Sequence, residues 1–129
     1  MIPGSVRDRV LLVDDAKDFI KYMKKRLDAR GVVVSTAHSG REALAVLNKE
    51  TIDVVVLDVL MPGMDGIETL QEIKKIKPDQ PVVMLTGHGT VESTAEGMRL
   101  GAADFLLKPC DADTLLHSIE NAHAKSANS

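Results

Sequence analysis

Val54-Val55-Val56-Leu57-Asp58-Val59-Leu60-Met61-Pro62-Gly63-Met64-Asp65-Gly66 is the stretch that decides the fold. Its first four residues form an apolar, β-branched run, the composition of a strand buried on both faces. A carboxylate, Asp58, follows at once, and Pro62-Gly63 then turns the chain. An acid at the end of a buried strand is either paired or put to use. A lone aspartate there would read equally well as a solvated loop residue. Reactive residues at the ends of other strands tip the reading toward use.

Upstream, Val10-Leu11-Leu12-Val13 is a second buried-type strand, stopped by Asp14-Asp15. Apolar positions Ala16, Ile20, Met23 and Leu27 then recur at helical spacing over 16–30. Lys24, Lys25, Arg26 and Arg30 suit the negative end of that helix, and Gly31 stops it. A strand over 32–37 follows. Ser39-Gly40-Arg41-Glu42 is a capping-box pattern that opens a helix with Ala43, Leu44 and Leu47 on one face. Downstream, Asp65-Gly66-Ile67-Glu68 resembles another cap, for a helix presenting Ile67, Leu70 and Ile73 and ended by Pro78. A strand over 81–86 precedes a helix over 90–100, with Gly97 as an internal defect of about 1 kcal/mol relative to alanine and Gly101 as its stop. Asp104-Phe105-Leu106-Leu107 is the fifth strand. Asp111 caps a last helix with Leu115, Leu116, Ile119 and Ala122 inward.

Strand and helix therefore alternate five times. That order implies an α/β fold, a parallel sheet with helices on both faces. Right-handed crossovers narrow it to a few doubly wound forms, in which ligands bind at the carboxyl ends of the strands. The 129 residues suit one domain, at 44% hydrophobic and 27% charged. The expected domain covers 9–124, with 1–8 a disordered extension and 125–129 a tail or truncated linker. A net charge of −3 gives no basis for direct nucleic-acid binding. No apolar run approaches membrane-spanning length, and residues 1–9 show no signal-peptide core. The single cysteine, Cys110, fits a reducing cytoplasm.

A parallel sheet would bring Asp14, Asp15, Asp58, Thr86 and Lys108 to one edge. Three clustered carboxylates call for a cation, and all-oxygen ligands suit Mg²⁺ or Mn²⁺. A lysine and a hydroxyl beside such an ion make a site for a transferring phosphoryl group. A carboxylate can itself be the nucleophile, and Asp58, on the central strand, is best placed. The competing reading is a structural acid–lysine cluster.

These residues, together with Met61-Pro62-Gly63-Met64-Asp65-Gly66 and Lys108-Pro109, resemble the receiver domain of bacterial two-component response regulators over about 9–124. The resemblance implies the flavodoxin-like strand order 2-1-3-4-5. It also implies that Asp58 takes a phosphoryl group from a phosphohistidine on a sensor histidine kinase or phosphotransfer protein. Asp15, Asp58 and the backbone carbonyl of Leu60 would bind the Mg²⁺, and Asp14 would hold metal-bound water. Lys108 would pair with the phosphorylated carboxylate, while Thr86 and Phe105 act as the switch. Phe19, Tyr22 and Pro109 would line the kinase-docking surface. Dimerisation would use 90–100, 104–107 and 111–124. Such a chain is a switch that catalyses its own phosphorylation and dephosphorylation, not an enzyme with a separate substrate. The family often has a cis bond before the proline matching Pro109. This chain departs from the pattern at Leu60, Gly87 and Phe105, where a polar residue, alanine or serine, and tyrosine are commoner.

Two other classes compete. A metal-dependent phosphohydrolase using Asp58 as nucleophile would need an acid where Leu60 stands and a lid for its substrate. A flavin binder would need aromatic or hydroxyl-rich loops, and the chain has two Phe and one Tyr. Gly87-His88-Gly89 half-resembles a dinucleotide loop but lacks the third glycine. His38, His88, His117 and His123 show no metal-ligand spacing. Cys110 lies near a helix start, a position that lowers a thiol pKa, but reads as a bystander. The six methionines read as core filler.

Overall fold

The computed structural model describes residues 8–59, 65–87 and 91–127. Residues 60–64 and 88–90, residues 1–7 and the last two residues lie outside them, and with them the expected Leu60 carbonyl ligand. The elements alternate as the apolar periodicities require: β1 (Arg9–Val13), α1 (Lys17–Asp28), β2 (Val33–Ala37), α2 (Gly40–Lys49), β3 (Val54–Leu57), α3 (Gly66–Ile76), β4 (Val82–Thr86), α4 (Val91–Arg99), β5 (Asp104–Leu107) and α5 (Ala112–Ala127). All four strand pairings are parallel, in the order β2-β1-β3-β4-β5. This is the doubly wound, flavodoxin-like arrangement.

Side chains alternate across the sheet and divide the core in two. Val10, Leu12, Val54, Val56, Val83 and Leu85 pack with Ile20, Met23 and Leu27 of α1 and Leu115, Ile119 and Ala122 of α5. Leu11, Val13, Val55, Leu57, Val82 and Met84 pack with Ala43 and Leu47 of α2 and Leu70 and Ile73 of α3. β3 and β4 are buried along their whole length, as strands covered on both faces must be. β5 is an edge strand and leaves Leu107 58% exposed.

Several boundaries differ from those the sequence suggests. Ala16 is not part of the α1 core stripe: it is the extended, exposed residue before the helix. Its N–H donates to Asp14 Oδ1 at 2.9 Å and its carbonyl accepts from the Ile20 N–H at 3.1 Å, so it caps the helix from outside. The Ser39 hydroxyl accepts from the Glu42 N–H at 3.1 Å, half of a capping box. Asp65 and Glu68 make the full box on α3. α5 runs on to Ala127, into the stretch expected to be tail, because nothing from Ala122 onward breaks a helix. Its His123 also lies between two carboxylates at the amino-terminal edge of the sheet, Asp8 (Nδ1–Oδ1 2.5 Å) and Asp53 (Nε2–Oδ1 3.6 Å). Asp8 thus belongs to the folded unit: its carbonyl also accepts from the Val33 N–H at 3.0 Å. Gly31 and Gly101 end their helices at φ +86° and +104°, values costly for any other residue.

Gly97 faces inward from α4 onto the Phe105 ring and Met84. A methyl group added there would meet Phe105 at 3.5 Å and Met84 at 3.7 Å, ordinary contact distances. The glycine therefore weakens α4 without a steric need for it. Gly97→Ala is expected to raise stability by about 0.5–1 kcal/mol in urea unfolding; a loss of stability would show that Phe105 needs the open space in the resting fold.

Candidate functional site

The parallel ladder continues one residue beyond the strands, and that residue carries the chemistry. The Asp14 N–H donates to the Ala37 carbonyl at 3.1 Å, and the Asp58 N–H to Val13 at 3.0 Å. The Lys108 N–H donates to Thr86 at 2.8 Å. The carboxyl ends of β1, β3, β4 and β5 thereby hold Asp14, Asp58, Thr86 and Lys108 on one edge, as the sequence leads one to expect. Asp15 joins them from the exposed rim: carboxylate oxygens of Asp14, Asp15 and Asp58 lie within 4.8 Å of one another.

Asp14 and Asp58 are buried, and Thr86 fully so. Asp14 is held from two sides. One oxygen accepts from the Ala16 N–H at 2.9 Å, and the other from the Lys108 ammonium at 2.5 Å. The same ammonium stands 3.9 Å from Asp58 Oδ2. Lys108 is thus closer to Asp14 than to Asp58, the residue whose phosphorylated form the resemblance pairs it with. Among the described residues one ammonium, Lys108, pairs with these three acids, so their ionised forms leave two negative charges in excess. A hard divalent cation would match that excess, and the donors are all oxygens, as Mg²⁺ or Mn²⁺ requires.

Sequence reasoning missed two parts of this site. The Phe19 ring lies under the Lys108 ammonium, 4.2 Å from nitrogen to ring centroid, and so helps orient it. No local pattern links a residue on the flank of α1 to one after β5. The second is the role of Gly66. A side-chain carbon there would stand 2.1 Å from the Asp58 carbonyl oxygen and 2.5 Å from the Val59 Cα. Only glycine lets α3 begin against the backbone that carries Asp58, and the Gly66 N–H donates to Val59 at 2.8 Å. The Asp-Gly pair was readable as a cap but not as this close approach. At Gly87, by contrast, the nearest atom is Lys108 Cβ at 3.9 Å, so space does not explain the glycine.

Phe19, Tyr22, Lys108, Pro109, Cys110 and Asp111 line a cavity of about 620 Å³ beside the carboxylates. The three residues expected to form a docking surface therefore share one depression, with Tyr22 49% exposed on its wall. The Lys108–Pro109 peptide bond is cis. Phe105 lies half-buried on the other side of the sheet, against the core of α2 and α3. Asp111 accepts from the Thr114 N–H at 2.7 Å, a bond that holds its carboxyl below the usual range and caps α5.

Cys110 behaves opposite to the helix-start expectation. Burial, and then the Asp111 carboxylate, push its thiol above the ordinary value. Less thiolate is present at neutral pH as a result. Iodoacetamide should modify Cys110 more slowly at pH 8 than a cysteine in an unstructured peptide, with the deficit closing as pH rises. Mass spectrometry of timed aliquots reads this, and faster modification than in the peptide would reverse the sign.

The family model "Response regulator receiver domain" matches residues 10–120. The transcriptional regulatory protein GlrR of Escherichia coli (strain K12) is 42% identical over 118 residues, covering 92% of this chain and 27% of that protein. The C4-dicarboxylate transport transcriptional regulatory protein DctD of Rhizobium meliloti (strain 1021) is 38% identical over 121 residues, 94% of this chain and 26% of that one. The chain thus spans little more than a quarter of these relatives. A response regulator receiver domain protein of Clostridium thermocellum superposes with a TM-score of 0.89 at 36% identity, covering 94% of this chain and 98% of that chain. A CheY-like receiver domain protein of Methanospirillum hungatei JF-1 gives 0.90 at 27% identity, with 95% and 98% covered.

Proposed function

Because the chain belongs to the response regulator receiver domain family, we propose that Asp58 is the residue on which it accepts a phosphoryl group. The observation that supports this most directly is the cluster of Asp14, Asp15 and Asp58 with Lys108 at one end of the sheet. In the proposed reaction a carboxylate oxygen of Asp58 attacks the phosphorus of a phosphohistidine on a sensor histidine kinase or phosphotransfer protein. The P–N bond breaks, and its electron pair returns to the imidazole nitrogen. Asp14, Asp15, Asp58 and the Leu60 carbonyl would hold a Mg²⁺ or Mn²⁺ ion. When bound, that ion supplies neutralising charge between the carboxylates and the phosphoryl oxygens. Lys108 offers a second positive charge and can leave Asp14 for the phosphorylated Asp58. Hydrolysis of the acyl phosphate by water would reset the switch, and Leu60 has no polar group to orient that water.

Thr86 and Phe105 are the proposed switch residues. Thr86 ends β4 beside the acceptor, and Phe105 packs between Gly97 and the sheet. A phosphoryl group that draws the Thr86 hydroxyl would bias the packing of Phe105 and α4, shifting the population of two states. Met98 of α4 and Leu107 of β5 are exposed apolar residues on that side, which supports α4, β5 and α5 as a dimer or output surface. No helix among the described residues is long and apolar enough to cross a membrane, in keeping with action in the cytoplasm. The phosphohydrolase alternative gains nothing: the likeness to receivers runs through 10–120, and Leu60 stands where the second acid would be needed.

Incubation with acetyl phosphate should add one phosphoryl mass to the intact protein, only with Mg²⁺ or Mn²⁺ present. Addition that survives Asp58→Asn, or that proceeds unchanged in excess chelator, would refute the assignment. A beryllofluoride complex at Asp58 is the reagent for the switch. Amide exchange with and without it should change chiefly over residues 86–107. Changes confined to α2, with 86–107 silent, would remove Thr86 and Phe105 from the switch.

A further inference from the structure

The amino-terminal edge of the sheet, opposite the carboxylate cluster, carries a second group of metal-ligating side chains. Local spacing gives His123 no ligand partner. The fold supplies two: Asp8, just before β1, and Asp53, just before β3. A ring nitrogen of His123 and a carboxylate oxygen from each aspartate lie within 4.8 Å of one another. Among the described residues neither aspartate pairs with a lysine or an arginine. Two carboxylates thus converge on one imidazole.

The bonds around the group decide which atoms are left to bind. Asp53 donates its N–H to the Arg9 carbonyl at 2.8 Å and takes the Arg9 N–H on Oδ2 at 2.8 Å. The Gln80 side-chain amide donates to its carbonyl at 3.3 Å. Oδ1 is the oxygen that remains toward His123. On the imidazole, Asp8 Oδ1 lies 2.5 Å from Nδ1. A carboxylate there accepts the Nδ1 proton and fixes the tautomer, so Nε2 carries the lone pair. Nε2 stands 3.6 Å from Asp53 Oδ1, too far for a proton to join them in a hydrogen bond. The gap is close to the roughly 3.3 Å between two ligand atoms on a tetrahedral ion with bonds of about 2.0–2.1 Å. A cavity of about 380 Å³ opens onto Asp53 and His123, while Asp8 stands outside its described wall. An ion would therefore enter on the Nε2 side, and water in the cavity would complete its shell. Lys77 and Asp79 also line the cavity, and their charges offset each other.

We infer that His123 Nε2 and Asp53 Oδ1 form a second cation site, for a borderline divalent ion of the Zn²⁺ class, with Asp8 orienting the imidazole and supplying the second negative charge. The nitrogen decides the ion. Imidazole suits Zn²⁺ and its transition-metal neighbours, whereas Mg²⁺ keeps to oxygen ligands and water. The oxygen-only cluster at the carboxyl edge has the opposite preference. Bound at the amino edge, the ion ties the last turns of α5 to the starts of β1 and β3 and so stabilises the folded chain. The site stands apart from the acceptor reading of Asp58.

The test is calorimetric titration of the full chain with Zn²⁺ in excess Mg²⁺, which competes at the carboxyl edge. One equivalent of Zn²⁺ should bind, and the thermal midpoint should rise with Zn²⁺ concentration. His123→Ala and Asp53→Asn should each weaken binding about tenfold or more. Asp53→Asn keeps an acceptor for the Arg9 N–H, so it removes the ligand charge and spares the backbone. Asp15→Asn, at the other edge, should leave the affinity within about twofold. In NMR spectra the His123 ring signals should shift on Zn²⁺ addition more than those of the other three histidines. No binding in excess Mg²⁺, binding unchanged in either amino-edge variant, or binding lost with Asp15→Asn overturns the inference. So does a thermal midpoint that rises as pH falls yet ignores Zn²⁺, because the occupant is then a proton only.

Discussion

Like charge held at close range, with too little of the opposite sign, is the condition on which the carboxyl edge of this sheet depends. Two unit charges 4 Å apart interact by about 4 kcal/mol even at an effective dielectric of about 20. Asp14, Asp15 and Asp58 bring oxygens within 4.8 Å of one another, and two of the three are buried. Lys108 relieves Asp14 directly at 2.5 Å and Asp58 only at 3.9 Å. Among the described residues the edge therefore has room in its electrostatics for another cation, and the Lys108 ammonium has two carboxylates within reach. A purely structural cluster gains nothing from such an imbalance. The metal and phosphoryl site proposed above would use it.

The fold sustains the crowding because the acids stand on backbone that cannot give way. β1 and β3 are paired from Val10 with Val54 to Val13 with Leu57, and every apolar side chain of that register is buried. Asp14 and Asp58 inherit their separation from it through one further hydrogen bond each. Moving them apart would mean unpacking both halves of the core. On the other side of Asp58, Gly66 brings the start of α3 against the Asp58 carbonyl. The strand that carries Asp58 is thus gripped at its end by a neighbouring strand and a helix terminus, and side chains rather than backbone are left to move.

Residues that act through local periodicity were legible in the sequence. The five strands, the five helices and the common edge of Asp14, Asp15, Asp58, Thr86 and Lys108 follow from apolar spacing and parallel topology alone. The strand order does not: it came with the family resemblance, since crossover rules leave several doubly wound orders open. Helix ends were read less well, because Ala16 suits a core stripe by spacing yet stands outside the helix, and nothing in Ala122-His123-Ala124-Lys125 announces where α5 stops. Other contacts between distant segments were not legible. His123 between Asp8 and Asp53, Phe19 under Lys108, and Gly66 against Asp58 join residues tens of positions apart or backbones whose approach leaves no compositional trace. The sign of the Cys110 shift went unread for the same reason: helix-start geometry argues for a thiolate, and only the packed structure shows burial prevailing.

The same division bears on how a change at Asp58 could reach the surface. Thr86 is fully buried at the end of β4, and its carbonyl accepts from the Lys108 N–H, so its backbone is tied to the strand pair β4–β5. Its side chain, not its backbone, is left to respond in the switch proposed above. Phe105 pairs in register with Met84 on β4 and covers Gly97 on α4. The ring therefore touches both the strand that carries Thr86 and the helix beyond it. A glycine under that ring costs α4 stability and leaves a gap that no packing requirement explains. If the ring must change place when the Thr86 hydroxyl moves, that gap has a use: it lets α4 shift without a backbone clash. In the proposed switch α4 would then link the buried carboxylate to the exposed side chains of Met98 and Leu107.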